Sequence, residues 1–132
     1  LNTQPKIKEI IPLEDQEQKA LVKWLNYHPI LKDFYCKNDN EGKRTPQQGL
    51  QAKLMGLIPG VSDMFIYYPS NGFHGLWLEM KRRKIYTSSE RSTPTWISQE
   101  RFQDKVKNVG YAAFFCYGWE HGKEIIEEYL RS

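Results

Sequence analysis

"GLIPGVSDMFIYYPSNGFHGLWLEMKRRK", residues 56–84, decides how this chain is read. A Gly-Val-Ser turn leads into Asp63, and the β-rich run "MFIYY" (64–68) follows. "PSNG" (69–72) has turn chemistry, and "HGLWLEMKR" (74–82) reads as a second strand, so the pair predicts a hairpin. Strand side chains alternate between faces. Leu76, Leu78 and Met80 therefore form the core face, while Trp77, Glu79 and Lys81 share the other. Glu79 and Lys81 lie about 7 Å apart along that face. Asp63, where the preceding strand begins, falls beside Glu79 if the hairpin closes.

Two carboxylates about 4 Å apart repel by roughly 4 kcal/mol at an effective dielectric near 20. A proton, a nearby cation or a bound metal relieves that repulsion. Mg²⁺ is the natural ion, being hard and commonly held by one or two carboxylates plus waters and phosphate oxygens. A protonated Lys81 cannot ligate it. Its ammonium can instead stabilise charge on a transferring phosphoryl group or position a water. Asp, Glu and Lys around a metal make a phosphodiester-hydrolysis site. The same residues also suit a surface ion pair between Glu79 and Lys81 with Asp63 capping a turn. Spacing alone does not separate the two readings.

The rest of the chain sets the frame. With 132 residues, 39% of them hydrophobic and no low-complexity segment, it reads as one folded domain, 13–132, after a lead-in over 1–12. No run has the apolar length of a membrane helix and none reads as a signal peptide, although a chain that begins with Leu leaves a preceding signal open; the expected location is the cytoplasm. Cys36 and Cys116 make no zinc spacing with His28, His74 or His121 and read as reduced thiols. The formal net charge of +3 is uneven. Eight Lys or Arg against three acids over 81–107 make a basic stretch, and the tail helix is acidic. That distribution suits a polyanion.

The element pattern is α, β, α, β, β, α, β, α, which predicts an α/β fold with a small mixed sheet flanked by helices. Residues 13–27 read as a helix with an acid-rich first turn, ended by Pro29. "KDFYCK" (32–37) reads as a short strand, "NDNEGKR" (38–44) as a polar loop and 46–56 as a short helix. Residues 85–95 form a Ser/Thr-rich loop. A helix over 97–109 is expected to bury Ile97, Phe102, Val106 and Val109. The apolar "YAAFFCYG" (111–118) reads as a central strand, and 119–130 as an amphipathic helix through Ile125, Ile126, Tyr129 and Leu130. On the first helix, Glu14 and Glu17 fall inside the arc of Leu13, Leu21, Trp24 and Leu25 that should face the sheet. An acid there is costly unless paired or bound to a metal. Alternatively, that first turn projects past the core into solvent.

At this point Asp63 and Glu79-x-Lys81 resemble the PD-(D/E)XK nuclease superfamily, with Ser62 where Pro is usual. More narrowly, the chain resembles the virus-type replication-repair nuclease (VRR-NUC) domain. The acid-rich Glu14-Asp15-Gln16-Glu17-Gln18 helix start, Val22 to Leu25, "NDNEGKR", Lys53 running into "GLIPGVSD", Gly75 to Lys81, and "QERFQDKVKNVGYAAFFCYGW" (99–119) carry the likeness. It implies a restriction-endonuclease-like core. Asp63, Glu79, the Met80 backbone carbonyl and Glu14 are implied as ligands of Mg²⁺ or Mn²⁺, and Lys81 as the catalytic lysine. Counting back without gaps from Gly110-Tyr111, Gln99 takes the place of the family's helix glutamine. A register set by Thr93-Pro94 puts Trp96 there instead. Lys43, Arg44, Lys53, Arg82, Arg83 and Lys84 are the expected DNA contacts.

The activity implied is metal-dependent cleavage of branched DNA. A stand-alone domain of this size resembles phage-type members, which act as homodimers on four-way (Holliday) junctions. The alternatives are a repair nuclease directed to flaps or nicks, a non-catalytic DNA-binding module on the same fold, and an RNA-processing nuclease.

Overall fold

A computed structural model describes residues 10–38 and 44–131. The first helix, α1 (Glu14–Asn26), is followed by a single helical turn at Leu31–Asp33 and a short strand, β1 (Tyr35–Lys37). Then come α2 (Pro46–Leu54), β2 (Met64–Ile66) and β3 (Leu76–Lys81). After a second isolated turn at Glu90–Ser92, the chain continues as α3 (Pro94–Asn108), β4 (Ala112–Tyr117) and α4 (Trp119–Leu130). The expected α/β order is present. The sheet runs β1-β2-β3-β4, with antiparallel pairing up to β3 and a parallel β3–β4 pair joined through α3. Among the described residues, no helix is long and apolar enough to cross a membrane.

The alternation read in β3 sorts two layers. Leu76, Leu78 and Met80 join Leu21 and Leu25 of α1, Met64 and Ile66 of β2, and Ile126 and Tyr129 of α4 in one buried cluster. The opposite face of β3 meets α3. There Trp77 stacks on Phe65 and meets Phe102 edge-on, with ring centroids 4.2 Å and 5.0 Å apart.

Two expectations change. Strand β4 is apolar but lies at the sheet edge, not its centre. It packs against α3 on one side and α4 on the other, which buries Ala112, Ala113 and Cys116 without a second neighbouring strand, while Phe114 and Tyr117 are exposed. Helix α3 starts at Thr93-Pro94, with the Thr93 hydroxyl accepting from the Trp96 N–H. Its buried side chains are Trp96, Gln99 and Gln103, while Val109 is largely exposed. Its inward face combines Trp96 and Phe102 with the amides of Gln99 and Gln103, of which Gln99 meets Lys81. Cys36 is exposed and Cys116 buried, both as free thiols.

Charge also enters the packing between α1 and α4. Glu17 is 2% exposed. Its carboxylate pairs with the Arg83 guanidinium at 3.2 Å and accepts the Trp119 N–H at the start of α4. An anion at a helix N-terminus meets both unpaired N–H groups and the positive end of the helix dipole. Gly118, the residue before α4, has φ +88°, and a Cβ there would lie 2.5 Å from Arg83 and 2.6 Å from Glu17. A glycine is needed both for that conformation and for the close approach. Glu17→Ala is expected to cost about 2–3 kcal/mol in urea unfolding, because it leaves the α4 N–H and Arg83 without their shared acceptor. Lys123→Ala, which removes only an exposed pair with Glu127, should change stability by less than about 0.5 kcal/mol.

Candidate active site

The site begins where β2 stops and β3 continues. Met64 pairs with Leu78, so Glu79, Met80 and Lys81 run past the end of β2 and pair only with β4. This leaves the β2-side N–H of Met80 without a strand partner. Asp63, one residue before β2, supplies it: its Oδ2 accepts from Met80 N at 2.9 Å. Asp63 is itself held by its backbone carbonyl, which accepts from Asn38 N at 2.6 Å. The approaching loop packs directly on α3. At Gly60 (φ +87°) an added Cβ would lie 2.3 Å from the Ser98 carbonyl oxygen.

Glu79 sits next to Asp63 under heavy burial, at 2% exposure. Burial first, then a hydrogen bond with Asp63 and its charge, push the Glu79 carboxyl far above its ordinary 4.5, to about 11. Lys81 opposes the rise and Glu14 adds to it. In the metal-free chain Glu79 therefore carries a proton at neutral pH. One of its oxygens, Oε2, is buried without a hydrogen-bond partner.

Glu14 completes the cluster. One carboxylate oxygen from each of Glu14, Asp63 and Glu79 lies within 4.8 Å of the others. Glu14, Asp63 and Met80 also line a gap of about 10 Å³, about the space of one water. Three converging carboxylates, an orphaned buried oxygen and a peptide at the gap form an all-oxygen donor set. It fits a hard divalent ion such as Mg²⁺ or Mn²⁺. The two inward acids of α1 divide: Glu14 reaches this cluster and Glu17 turns to Arg83.

Lys81 lies on the α3 side and is buried. Its Nζ donates to Gln99 Oε1 at 2.7 Å and sits 4.4 Å from the centre of the Trp96 ring. Both registers considered for the helix residue thus end on Lys81, since positions three apart share a helix face. Trp96 as a platform under the ammonium was not foreseen from the sequence. The available signal was its spacing of three from Gln99.

Asp63, Glu79 and Gln99 open into a cavity of about 320 Å³ that Arg44 and Lys53 also line. The other expected DNA contacts are placed differently. Arg82 donates to the carbonyls of Ile11 and Pro12, Arg83 pairs with Glu17 and Glu120, and Lys84 pairs with Glu90. Each has an intramolecular partner. Lys43 lies outside the described residues.

No sequence-family model matches the chain, and no curated protein matches it either. A solved structure described as a "VRR_NUC domain protein" superposes with a TM-score of 0.72 at 21% identity, covering 91% of this chain and 89% of that one. The four-stranded mixed sheet with its flanking helices is thus a restriction-endonuclease-like fold, of the form found in that VRR-NUC domain protein.

The proton on Glu79 has a consequence for stability. The unfolded chain releases it near pH 4.5, whereas the folded chain retains it. The stabilisation is fully present below that pH and is lost as pH rises toward the folded value, by at most about 1.4 kcal/mol per unit. In chelator, urea midpoints should fall between about pH 6 and pH 9. Glu79→Gln should remove most of that slope, and Mg²⁺ should restore stability to the wild type at the alkaline end. A slope unchanged by Glu79→Gln would contradict the protonated carboxyl.

Proposed function

We propose that this chain is a VRR-NUC nuclease, a Mg²⁺- or Mn²⁺-dependent endodeoxyribonuclease that cuts branched DNA, four-way junctions foremost. The observation that carries the reading is the convergence of Glu14, Asp63 and Glu79 within 4.8 Å, with Asp63 and Glu79 lining a cavity that Arg44 and Lys53 also line. Holding three carboxylates together, with one buried Glu79 oxygen lacking a hydrogen-bond partner, is costly for a purely structural arrangement.

Glu14, Asp63, Glu79 and the Met80 carbonyl would hold the ion. When bound, it supplies Lewis-acid polarisation of the phosphate and a more acidic water. The protein's own groups do the rest. Hydrolysis adds a water oxygen to phosphorus and breaks one P–O ester bond, with negative charge building on the phosphoryl oxygens. Lys81 presents a fixed ammonium to that charge, and Gln99 holds its direction. Arg44 and Lys53 neutralise the neighbouring phosphates. Binding the ion requires Glu79 to release its proton, so metal affinity rises with pH.

The four-way junction as substrate rests on the likeness to small phage-type VRR-NUC proteins, in which two copies of the chain place two sites on symmetric strands. Labelled four-way junction, flap and linear duplex, incubated with Mg²⁺ or Mn²⁺, test the assignment. Asp63→Ala and Lys81→Ala should each lower junction cleavage by at least about 100-fold. Activity that survives both would sink the nuclease reading, and flap cutting by a monomer would redirect it to repair of single branches. Arg44→Ala and Lys53→Ala should each weaken DNA binding and reduce the slope of log affinity against log salt by about 0.9, measured by fluorescence anisotropy.

A further inference from the structure

We infer that Trp96 is a positioning residue for the Lys81 ammonium, holding it over an indole face so that one N–H remains directed at the reacting phosphate. This inference rests on the nuclease reading above and adds a residue that the Asp63, Glu79-x-Lys81 motif does not contain.

The geometry around Lys81 is closed on several sides. Its Nζ lies 4.4 Å from the Trp96 ring centre and 5.4 Å from that of Phe115. Trp96 and Phe115 are themselves stacked, with centroids 4.7 Å apart and planes at 25°. Tyr86 packs on Trp96 at 5.0 Å, and its hydroxyl accepts from Arg82 N at 3.0 Å, next to Lys81 in the chain. Trp96 is 5% exposed. The indole is thus packed by Phe115, which also flanks the ammonium, and by Tyr86, and it is fixed at its backbone by the Thr93 cap.

A lysine ammonium has three N–H donors and a flexible four-carbon stem. On an exposed strand end it would sample many directions. Here one donor goes to Gln99 Oε1, and the charge is directed onto the indole face, the strongest of the aromatic cation acceptors. Both partners come from α3, three residues apart, so they approach Lys81 from the same side. With one donor on Gln99 and the charge on the indole, one N–H donor of the ammonium remains for the reacting phosphate. A merely apolar residue at 96 would fill the space and leave the ammonium held by Gln99 alone.

The test compares Trp96→Leu with Trp96→Phe in the full chain. Three quantities are read: cleavage of labelled junction DNA, Mn²⁺ affinity, and the Lys81 Hε and Cε resonances by NMR. Trp96→Leu is expected to lower kcat about 10- to 30-fold with KM for DNA within twofold, and Trp96→Phe should recover most of it. Mn²⁺ affinity should stay within about threefold in both variants. The Lys81 Hε protons, shielded by the indole ring in the wild type, should move downfield in Trp96→Leu. Wild-type-like cleavage by Trp96→Leu, loss in Trp96→Phe equal to that in Trp96→Leu, or Mn²⁺ affinity lost together with activity would each overturn the inference. If the wild type cleaves no branched or linear DNA, the nuclease reading fails, and the Lys81 resonances still decide whether the indole holds the ammonium.

Discussion

The hydrogen bond from Met80 N–H to Asp63 is the constraint on which the site depends. It exists because β3 extends past the last paired residue of β2. The overhang has a backbone donor that the ladder no longer satisfies, and a buried donor must find a partner. Asp63 provides it and in doing so lies against Glu79, whose side chain projects from the same overhang. The stability of the sheet end and the repulsion at the site therefore come from one arrangement. A proton on Glu79 relieves the repulsion, and under the proposed function a divalent ion takes the place of that proton.

The surrounding fold keeps that arrangement from relaxing. Helix α1 delivers Glu14 to the carboxylates and, one turn later, Glu17 to Arg83 and the start of α4. The second contact fixes the helix that carries the first. On the opposite layer, α3 sets Gln99 and Trp96 against Lys81, while the Gly60 loop that leads to Asp63 lies directly against Ser98 of α3. The acids and the lysine are thus anchored by different layers and meet only at the end of β3.

Much of this is legible one residue at a time. Period-two alternation in "LWLEMK" separates core from site, because every strand shows that parity regardless of its neighbours. The inward position of Glu14 and Glu17 follows from helical periodicity and flags both as acids in need of a partner. Periodicity does not say which partner, and the two take different ones. For α3, the apolar pattern points inward through Ile97 and Val109, which are exposed, whereas Gln99, which meets Lys81, and Gln103 are buried. For β4, an apolar run indicated burial, and burial by two helices looks the same in sequence as burial between two strands.

The basic run Arg82-Arg83-Lys84 shows the same division. Local composition marks it as cationic, but each of the three finds an intramolecular partner from elsewhere in the chain: the lead-in carbonyls, Glu17 with Glu120, and Glu90. Arg44 and Lys53, less conspicuous in sequence, line the cavity with the acids. The sequence by itself determined the element order, the two faces of β3 and the placing of Glu79 and Lys81 together on one of them, because these depend on residue type and on periods of two and 3.6. The tertiary structure alone decided which charges meet: Glu14 rather than Glu17 at the carboxylates, Trp96 beneath Lys81, and Arg83 away from the cavity. Those outcomes depend on strand register and helix docking across long sequence separations, which local pattern does not encode.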